Sequence, residues 1–420
     1  MCPTRPAPPV PGADPLKRAE PITPLLKWPG GKARELPLIL QWTPDRIERY
    51  FEPFVGGGAM LFAVPPSVPA FVNDASADLM EFYGSVARQD PGLFTVLEGI
   101  DAWWNALQAV VDEIGPELFE AFVSLRESLR ERAPNASSGV RERVGALLAA
   151  RRDVTGATVP PALARHRGDF LTDVEATVPR KVARMRQVEI QRRTQLPDND
   201  VWANLEGAMK ASCYTTLRRV YNVSRRGGGN AVERAALFLF LREFAYAAMF
   251  RFNAAGDFNV PYGGVSYNRK SLARKVAHLR SAPVVKRLRG TVMGCTDFAA
   301  FLSAHQPQPG DFVFLDPPYD SDFRDYDAHG FGPDDHERLA GVLEALNCRF
   351  VLVIKATPLT ERLFARPGWH VVATDKTYAW TIKQRNHRRA VHLLVTNHVP
   401  DNGDAATVAG QQQPLGAGNG

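Results

Sequence analysis

Four consecutive residues, Asp316-Pro317-Pro318-Tyr319, combine groups that could hold a flat substrate carrying an exocyclic amine. They follow residues 311–315 (DFVFL), an acid and an apolar run of the length expected for a buried strand. The Asp316 carboxylate could accept one amine proton, and the extended backbone before proline turns a carbonyl outward to accept the other. The Tyr319 ring could stack on the substrate. For so short a motif, a strand ending in a proline-rich turn is the structural alternative.

A glycine turn nearer the amino-terminal end is a second signal of chemistry. Residues 49–63 predict a strand, a tight turn and the start of a helix. Glycine permits such a turn and lets a ligand approach the backbone closely. The turn glycines are Gly56, Gly57 and Gly58. Residues 70–74 predict a second strand that ends in Asp74, 18 residues after Gly56, where an acid could bind ribose hydroxyls.

These motifs resemble the DNA adenine-N6 methyltransferases of the Dam type (D12 class, alpha group), in which the glycine motif precedes DPPY. The resemblance covers roughly residues 23–115 and 205–398. It rests on blocks that stand in the family's order. They are residues 26–32 (LKWPGGK), 52–58 (EPFVGGG), 73–74 (ND), 251–263 (RFNAAGDFNVPYG) and 316–319 (DPPY). The first block alone is consistent with a surface turn and lacks Walker spacing.

The resemblance implies an α/β fold, with a Rossmann-like S-adenosylmethionine-dependent methyltransferase sheet and an inserted, mainly helical target-recognition domain. The expected parts are a disordered Pro-rich arm (1–22), the first catalytic part (23–88), the helical insertion (89–288), the second catalytic part (289–399) and a flexible tail (400–420). Within the insertion, residues 116–204 depart from the compact family pattern. They are rich in arginine, hold no recognisable motif, and are expected to be broken into helices at 137–139 and 160–161.

Apolar runs and turn signals predict the elements of the second catalytic part. The predicted strands are 290–293, 311–315, 349–354, 370–375 and 389–396, and the predicted helices are 296–304 and 334–347. The resemblance implies that 374–384 and 389–397 form the antiparallel pair that closes the sheet. In the insertion, the apolar spacing of residues 231–250 predicts a helix, favoured as a core helix over a direct contact with DNA.

By the resemblance, the cofactor is S-adenosylmethionine. Its site would combine Trp28, Lys32, Asp74 and Asp316 with the backbone of the turn glycines Gly56, Gly57 and Gly58. Asp74 would hold the ribose hydroxyls, and Lys32 would lie near the methionine carboxylate. Asp297 is a further candidate, for the cofactor adenine; a helix N-cap before the next residue is the alternative.

The catalytic candidates are Asp316, Pro317, Pro318 and Tyr319. Asp316 and the Pro317 carbonyl would accept the protons of an adenine N6 amine, and Tyr319 would stack on the base. The base has to leave the duplex, because stacking blocks access to N6. The chain departs from the family pattern at Pro29, where the compact enzymes often have a small residue, and at residues 354–358, which bear on substrate contacts without removing this chemistry.

Five residues are candidates for contact with DNA: Lys27, Arg225, Arg226, Arg251 and Phe252. Arg225 and Arg226 precede a glycine-rich loop, where a solvated face and a phosphate contact are both open. Glycine and proline punctuate residues 251–263, which predicts a rigid loop after the long helix. Arg251 and Phe252 could meet the DNA backbone and a base, or the polar residues of the loop could simply hold it together.

Composition agrees with a DNA-binding enzyme. The 420 residues predict about two or three domains, and 51 Lys and Arg against 45 Asp and Glu give a net charge of +6, which favours a polyanionic partner. The chain lacks a long apolar run and a secretory signal, which argues against a membrane span. Its four cysteines are scattered, which argues against a zinc site or disulfides and fits a reducing cytoplasm.

We therefore predict a monomeric, cytoplasmic enzyme of a bacterium or phage that methylates adenine N6 in double-stranded DNA. Two alternatives remain: the acceptor could be cytosine N4 or RNA adenine, since DPPY suits any exocyclic amine on a flat ring, or the chain could be a DNA-binding protein without catalysis. The recognition sequence and the existence of a partner endonuclease are open.

Overall fold

The computed structural model describes residues 22–28, 30–130, 136–318, 331–377 and 389–401. Most of the predicted arm and tail, together with Pro29 and Tyr319, lies outside these residues. None of the described helices is both long enough and apolar enough to cross a membrane.

One sheet of seven strands organises the described residues. The strands are β1 (Tyr50–Glu52), β2 (Ala70–Asn73), β3 (Thr291–Gly294), β4 (Phe312–Leu315), β5 (Arg349–Lys355), β6 (His370–Thr377) and β7 (Arg389–Thr396). Their order is β3-β2-β1-β4-β5-β7-β6, with β7 antiparallel to both of its neighbours and every other pair parallel. The predicted strands are confirmed, as is the closing pair where it is described; residues 378–384 lie outside the described residues.

Helices cover both faces of this sheet. In the first half they are α1 (Leu36–Gln41), α2 (Ala77–Ala87), α3 (Pro91–Arg130), α4 (Ala136–Ala150), α5 (Arg152–Ala157), α6 (Arg167–Arg192) and α7 (Asp198–Val223). Then follow α8 (Ala231–Phe244), α9 (Ala273–Leu279), α10 (Ala282–Arg289), α11 (Phe298–His305), α12 (Pro333–Ala345) and α13 (Pro358–Phe364).

Alternation along the strands divides the core between the two faces, because successive side chains of a strand point in opposite directions. Phe51 packs with buried side chains of α11, α12 and α13. Tyr50, on the opposite face, belongs to a core that includes α1, α2 and the long helices α3 and α8. Helices between residues 89 and 288 therefore share one continuous apolar core with the sheet.

Two sequence predictions in the insertion were wrong in detail. The helix predicted at 231–250 ends at Phe244, because the following backbone pairs with the segment after it instead of with the helix. The Gly263 N–H donates to the Phe244 carbonyl at 3.0 Å, and the Tyr246 N–H donates to the Pro261 carbonyl at 2.9 Å. Residues 137–139 lie inside α4 and do not break it, whereas 160–161 do separate α5 from α6.

The order of the strands shows where the direction of winding changes in the sheet. From β1 the chain moves outward to β2 and β3, whereas β4 leads outward to β5 on the other side. In open parallel sheets, ligands bind at the carboxyl ends of the strands where the direction of winding changes. The glycine turn follows β1 and Asp316 follows β4, so both lie at this change of direction.

Candidate active site

The glycine turn after β1 accepts no side chain at its ends. Gly56 and Gly58 have φ of +45° and +71°, in the left-handed region that favours glycine. A Cβ on Gly56 would lie 2.7 Å from Cδ1 of Trp28, and one on Gly58 would lie 2.9 Å from Oη of Tyr83. Trp28 therefore lies against the turn, and the Tyr83 hydroxyl donates to the Gly56 carbonyl at 3.0 Å.

Asp74 joins this turn to the end of β2. Its carboxylate accepts hydrogen bonds from the N–H of Gly56 at 3.0 Å and the N–H of Ser76 at 2.9 Å. The neighbouring Asn73 amide donates to the carbonyls of Pro53 and Thr296, which lie in the loops after β1 and β3. The carboxyl ends of three strands are thereby held together, with a half-buried carboxylate among them.

Asp316 and Lys32 form the closest charged pair of the site. Lys32 Nζ lies 2.5 Å from Asp316 Oδ1 and also donates to the Gly30 carbonyl at 3.0 Å. The Lys32 side chain is 2% exposed and that of Asp316 is 21% exposed, so the carboxylate is held from the protein side and still reaches solvent. Of the other catalytic candidates, Pro317 is buried and Pro318 is exposed, while Tyr319 lies outside the described residues.

Glu35 and His392 lie behind Lys32. Glu35 Oε2 lies 3.9 Å from Lys32 Nζ, and Glu35 Oε1 lies 3.0 Å from Nδ1 of His392, a buried residue of β7. Neither Glu35 nor His392 belongs to a motif, so sequence reasoning missed both. Only the folding of β7 beside β5 brings His392 to this position.

Glu52, the last residue of β1, is a buried acid beneath the glycine turn. Burial raises its pKa well above the usual value; the hydrogen bond from Tyr50 opposes this, and the negative charges of Asp316 and Asp74 add to it. The Tyr50 hydroxyl donates to Glu52 Oε2 at 2.8 Å. Its place at the start of the EPFVGGG block was a signal in the sequence, although Glu52 was not among the site candidates.

Asp297 caps α11 in the structure. Its carboxylate accepts from the N–H groups of Ala299 and Ala300 at 3.0 and 3.3 Å, and it pairs with Arg338 at 2.8 Å. Burial by itself raises the pKa of Asp297, but the bonds from Arg338 and from the two amides leave that pKa below its usual value. The capping alternative is confirmed, and a contact with the cofactor adenine stays a prediction.

The basic candidates before α8 are held by acids. Arg225 Nε lies 3.0 Å from an Asp78 carboxylate oxygen, and its guanidinium stands 4.2 Å from the ring centre of Phe252. Arg226 pairs with Asp257. Both arginines are exposed at the surface, so phosphate contact stays a prediction, but part of their charge is already compensated.

The loop at 251–263 is held both by its own polar groups and by hydrogen bonds from side chains of α7. The Asn253 side chain accepts from the N–H of Ala255 at 3.0 Å and of Asp257 at 2.9 Å. Arg251 is exposed, and its Nε lies 3.4 Å from the Asn259 side chain. Lys27 is also exposed at the surface. The segment is a loop, as predicted, whereas its rigidity and its contact with DNA stay predictions.

Metal chemistry has no visible site here: the described residues contain no group of three or more His, Cys, Asp or Glu side chains that could hold an ion. The groups that this edge offers are instead a carboxylate acceptor, a glycine turn without side chains and a half-buried acid. Such a set can bind a ligand along the turn and hold an amine at Asp316.

Comparison with known proteins agrees with this chemistry. The family model described as D12 class N6 adenine-specific DNA methyltransferase matches residues 28–131 and 192–378, well over half of the chain. The unmatched residues between them, 132–191, hold α4, α5 and most of α6.

Individual relatives are also named as methyltransferases or DNA methylases. The chain is 21% identical to the Type II methyltransferase M1.LlaDCHI of Lactococcus lactis subsp. cremoris over 90% of this chain and 96% of that protein. It is 25% identical to the Type II methyltransferase M.MjaIII of Methanocaldococcus jannaschii, over 78% of this chain and 81% of that protein. With the Retron Ec67 DNA adenine methylase of Escherichia coli it shares 35% identity, over 33% of this chain and 45% of that protein.

Proposed function

The chain belongs to the D12 class of N6 adenine-specific DNA methyltransferases, and from this premise we propose that it transfers a methyl group from S-adenosylmethionine to N6 of an adenine flipped out of duplex DNA. It is an adenine-specific DNA methyltransferase by family. The observation that carries the proposed chemistry is the Asp316 carboxylate, held 2.5 Å from buried Lys32 and partly open to solvent at the carboxyl end of β4.

The residues at the end of β1 fit S-adenosylmethionine. Because glycine occupies the turn, a ligand can come close to the backbone between Gly56 and Gly58. The Asp74 carboxylate stands beside the turn, with Gly56 N–H at 3.0 Å, where it would accept from ribose hydroxyls. Trp28, against the turn, offers a flat apolar surface. When bound, the cofactor supplies a methyl group on a sulfonium, which reacts with a nucleophile placed in line.

The protein's own contribution is to hold the acceptor amine. Asp316 would accept one N6 proton and the Pro317 carbonyl the other, which directs the nitrogen lone pair toward the methyl group. As positive charge develops on nitrogen, the fixed carboxylate stabilises it. Lys32 sets the position of that carboxylate from the buried side. Tyr319 would stack on the flipped base, as base-binding aromatic residues do.

Modification-aware sequencing of DNA from cells that express the wild-type chain tests the proposal. The expected result is N6-methyladenine at one short motif, and its loss with Asp316→Ala at equal protein level. N4-methylcytosine in DNA, or methylated adenine confined to RNA, would overturn the proposed acceptor. Since two of the relatives described above are named Type II methyltransferases, the motif can then be tested for protection against a cognate endonuclease.

A further inference from the structure

The stretch that the family model leaves unmatched carries most of the chain's excess positive charge. Residues 132–191 contain eleven Lys and Arg against six Asp and Glu, a net charge of +5, whereas the whole chain has +6. The family's common chemistry does not depend on this stretch, because its motifs lie outside it. The role of this positive charge has to be inferred from what residues 132–191 themselves contact.

One exposed side of α6 concentrates this charge. Positions spaced i, i+4, i+7 and i+11 lie on one side of a helix. The exposed residues at this spacing are Arg180, Arg184, Gln187 and Gln191, and half-buried Lys181 and exposed Arg192 lie at their edge; we name these six residues the cationic face. Arg180 donates to the Ala176 carbonyl at 2.6 Å and Arg184 to the Gln187 side chain at 3.3 Å. Among the ion pairs formed by the described residues, none joins this face to a carboxylate.

The acids of α6 are directed elsewhere. Asp173 pairs with Arg219 of α7 at 2.6 Å, Glu175 with Arg152 of α5 at 3.4 Å, and Glu189 with Arg126 of α3 at 2.6 Å. These carboxylates neutralise arginines of the neighbouring helices, so the outer side of α6 keeps its cations. Burial, and then the nearby charge of Arg184, lower the pKa of Lys181. Like charges this close destabilise a helix slightly, and a bound polyanion would relieve that cost.

The contacts of α6 with α7 place the cationic face away from the basic loop at Arg225. Asp173, near the start of α6, contacts Thr216 at 2.7 Å and Arg219, near the end of α7. A short loop joins the two helices, which therefore run antiparallel. From Asp173 onward, α6 leads away from the loop after α7. From Arg180 to Arg192 the face extends about 18 Å along the helix.

We propose that the cationic face of α6 binds phosphates of duplex DNA beyond the part of the duplex held at the active site, so that this stretch lengthens the enzyme's footprint. The inference rests on the proposed function, because it takes the partner to be the substrate DNA. Each strand presents a phosphate about every 3.4 Å of the helix axis, so the face can meet several of them.

Binding of fluorescent duplex DNA, followed by anisotropy over a series of salt concentrations, tests the proposal. The probes are a short duplex that only fills the active site and one several helical turns longer. The test variant is Arg180→Gln/Lys181→Gln/Arg184→Gln, and Arg180→Lys/Arg184→Lys is the charge-preserving control. Arg152→Gln is the matched control, since this arginine lies in the same stretch but is paired with Glu175.

With the long duplex, the triple variant should lose about 0.9 units of log–log salt slope for each cation that meets a phosphate, up to about 2.7. With the short duplex it should bind like the wild type, as both controls should with either probe. An unchanged slope on the long duplex overturns the inference. Equal losses on both duplexes would place the face inside the central footprint and overturn the proposed extension. Binding is measured without methyl transfer, so failure of the proposed function appears separately, as absent methylation by the wild type.

Discussion

Removing the Asp316 carboxylate should lower the free energy of unfolding more than removing its partner, the Lys32 ammonium. We consider Asp316→Asn and Lys32→Met, singly and together. After Asp316→Asn, an ammonium that is 2% exposed loses its closest counter-charge and retains the Gly30 carbonyl, with Glu35 at 3.9 Å. After Lys32→Met, the remaining carboxylate is 21% exposed and can be hydrated.

The expected magnitudes follow from this difference in burial. Breaking a fully buried ion pair by removing one partner costs about 3–5 kcal/mol. The remaining partners of Lys32 and the partial exposure of Asp316 reduce the cost of Asp316→Asn to about 2–3 kcal/mol, while Lys32→Met should cost about 1 kcal/mol. The double variant leaves neither charge behind, so its cost should fall short of the sum by about 1 kcal/mol.

Urea unfolding followed by circular dichroism gives the free energies of unfolding, and methyl transfer to duplex DNA at saturating cofactor gives the turnover. Asp316→Asn should also lower turnover by about 10²–10³, as expected for loss of an aimed charged group, with DNA affinity retained. Asp334→Asn is the matched control, because this exposed acid lies in the same part of the chain at the start of α12. It should change stability by only a few tenths of a kcal/mol and leave turnover unchanged.

Two outcomes would refute this reasoning. If Lys32→Met destabilised the protein as much as Asp316→Asn, burial would not control the energetic cost of the charge that remains. If the double variant cost the full sum, the 2.5 Å contact would contribute no coupling energy. Separately, near wild-type turnover by Asp316→Asn would exclude its charge as the feature needed at the amine.

Asp74→Ala should weaken S-adenosylmethionine binding by about 1.5–3 kcal/mol, and calorimetry showing unchanged affinity would reject the ribose assignment. Glu52→Gln should stabilise the protein increasingly as pH rises above about 4.5. Burial raises the pKa of Glu52 in the folded state, so the free energy of unfolding of the wild type declines above that pH by up to about 1.4 kcal/mol per pH unit. The decline ends once the pH passes the pKa of Glu52 in the folded state. A difference in unfolding free energy that does not vary with pH would contradict this. Arg251→Ala should lower DNA affinity and reduce the log–log salt slope of DNA binding by about 0.9, the value expected for one phosphate contact. Early melting with an unaltered slope would instead make the loop purely architectural.

The strands and the helices of the catalytic part were predictable because their signals are local. A buried parallel strand needs a short apolar run, and the acid or glycine that follows it marks its end, as at Asp316 and Gly56. The end of α8 was not predictable in the same way. Its apolar pattern continues to Phe250. After Phe244, however, the backbone forms hydrogen bonds with residues 258–263 instead of continuing the helix. That pairing depends on a segment farther along the chain, which the local pattern does not reveal.

By itself, the sequence determined which chemical groups stand at the carboxyl ends of the strands, and with them the family. Only the tertiary structure decided which partners those groups have. Lys32 and Asp316 are separated by 284 residues and meet at 2.5 Å, and His392 reaches the same cluster through Glu35. The arginines of the helical region look alike in sequence, yet folding pairs Arg126 of α3 with Glu189 of α6 and leaves Arg184 on an exposed face. Motifs follow from local chain geometry, whereas charge pairing and burial depend on which distant segments the core brings together.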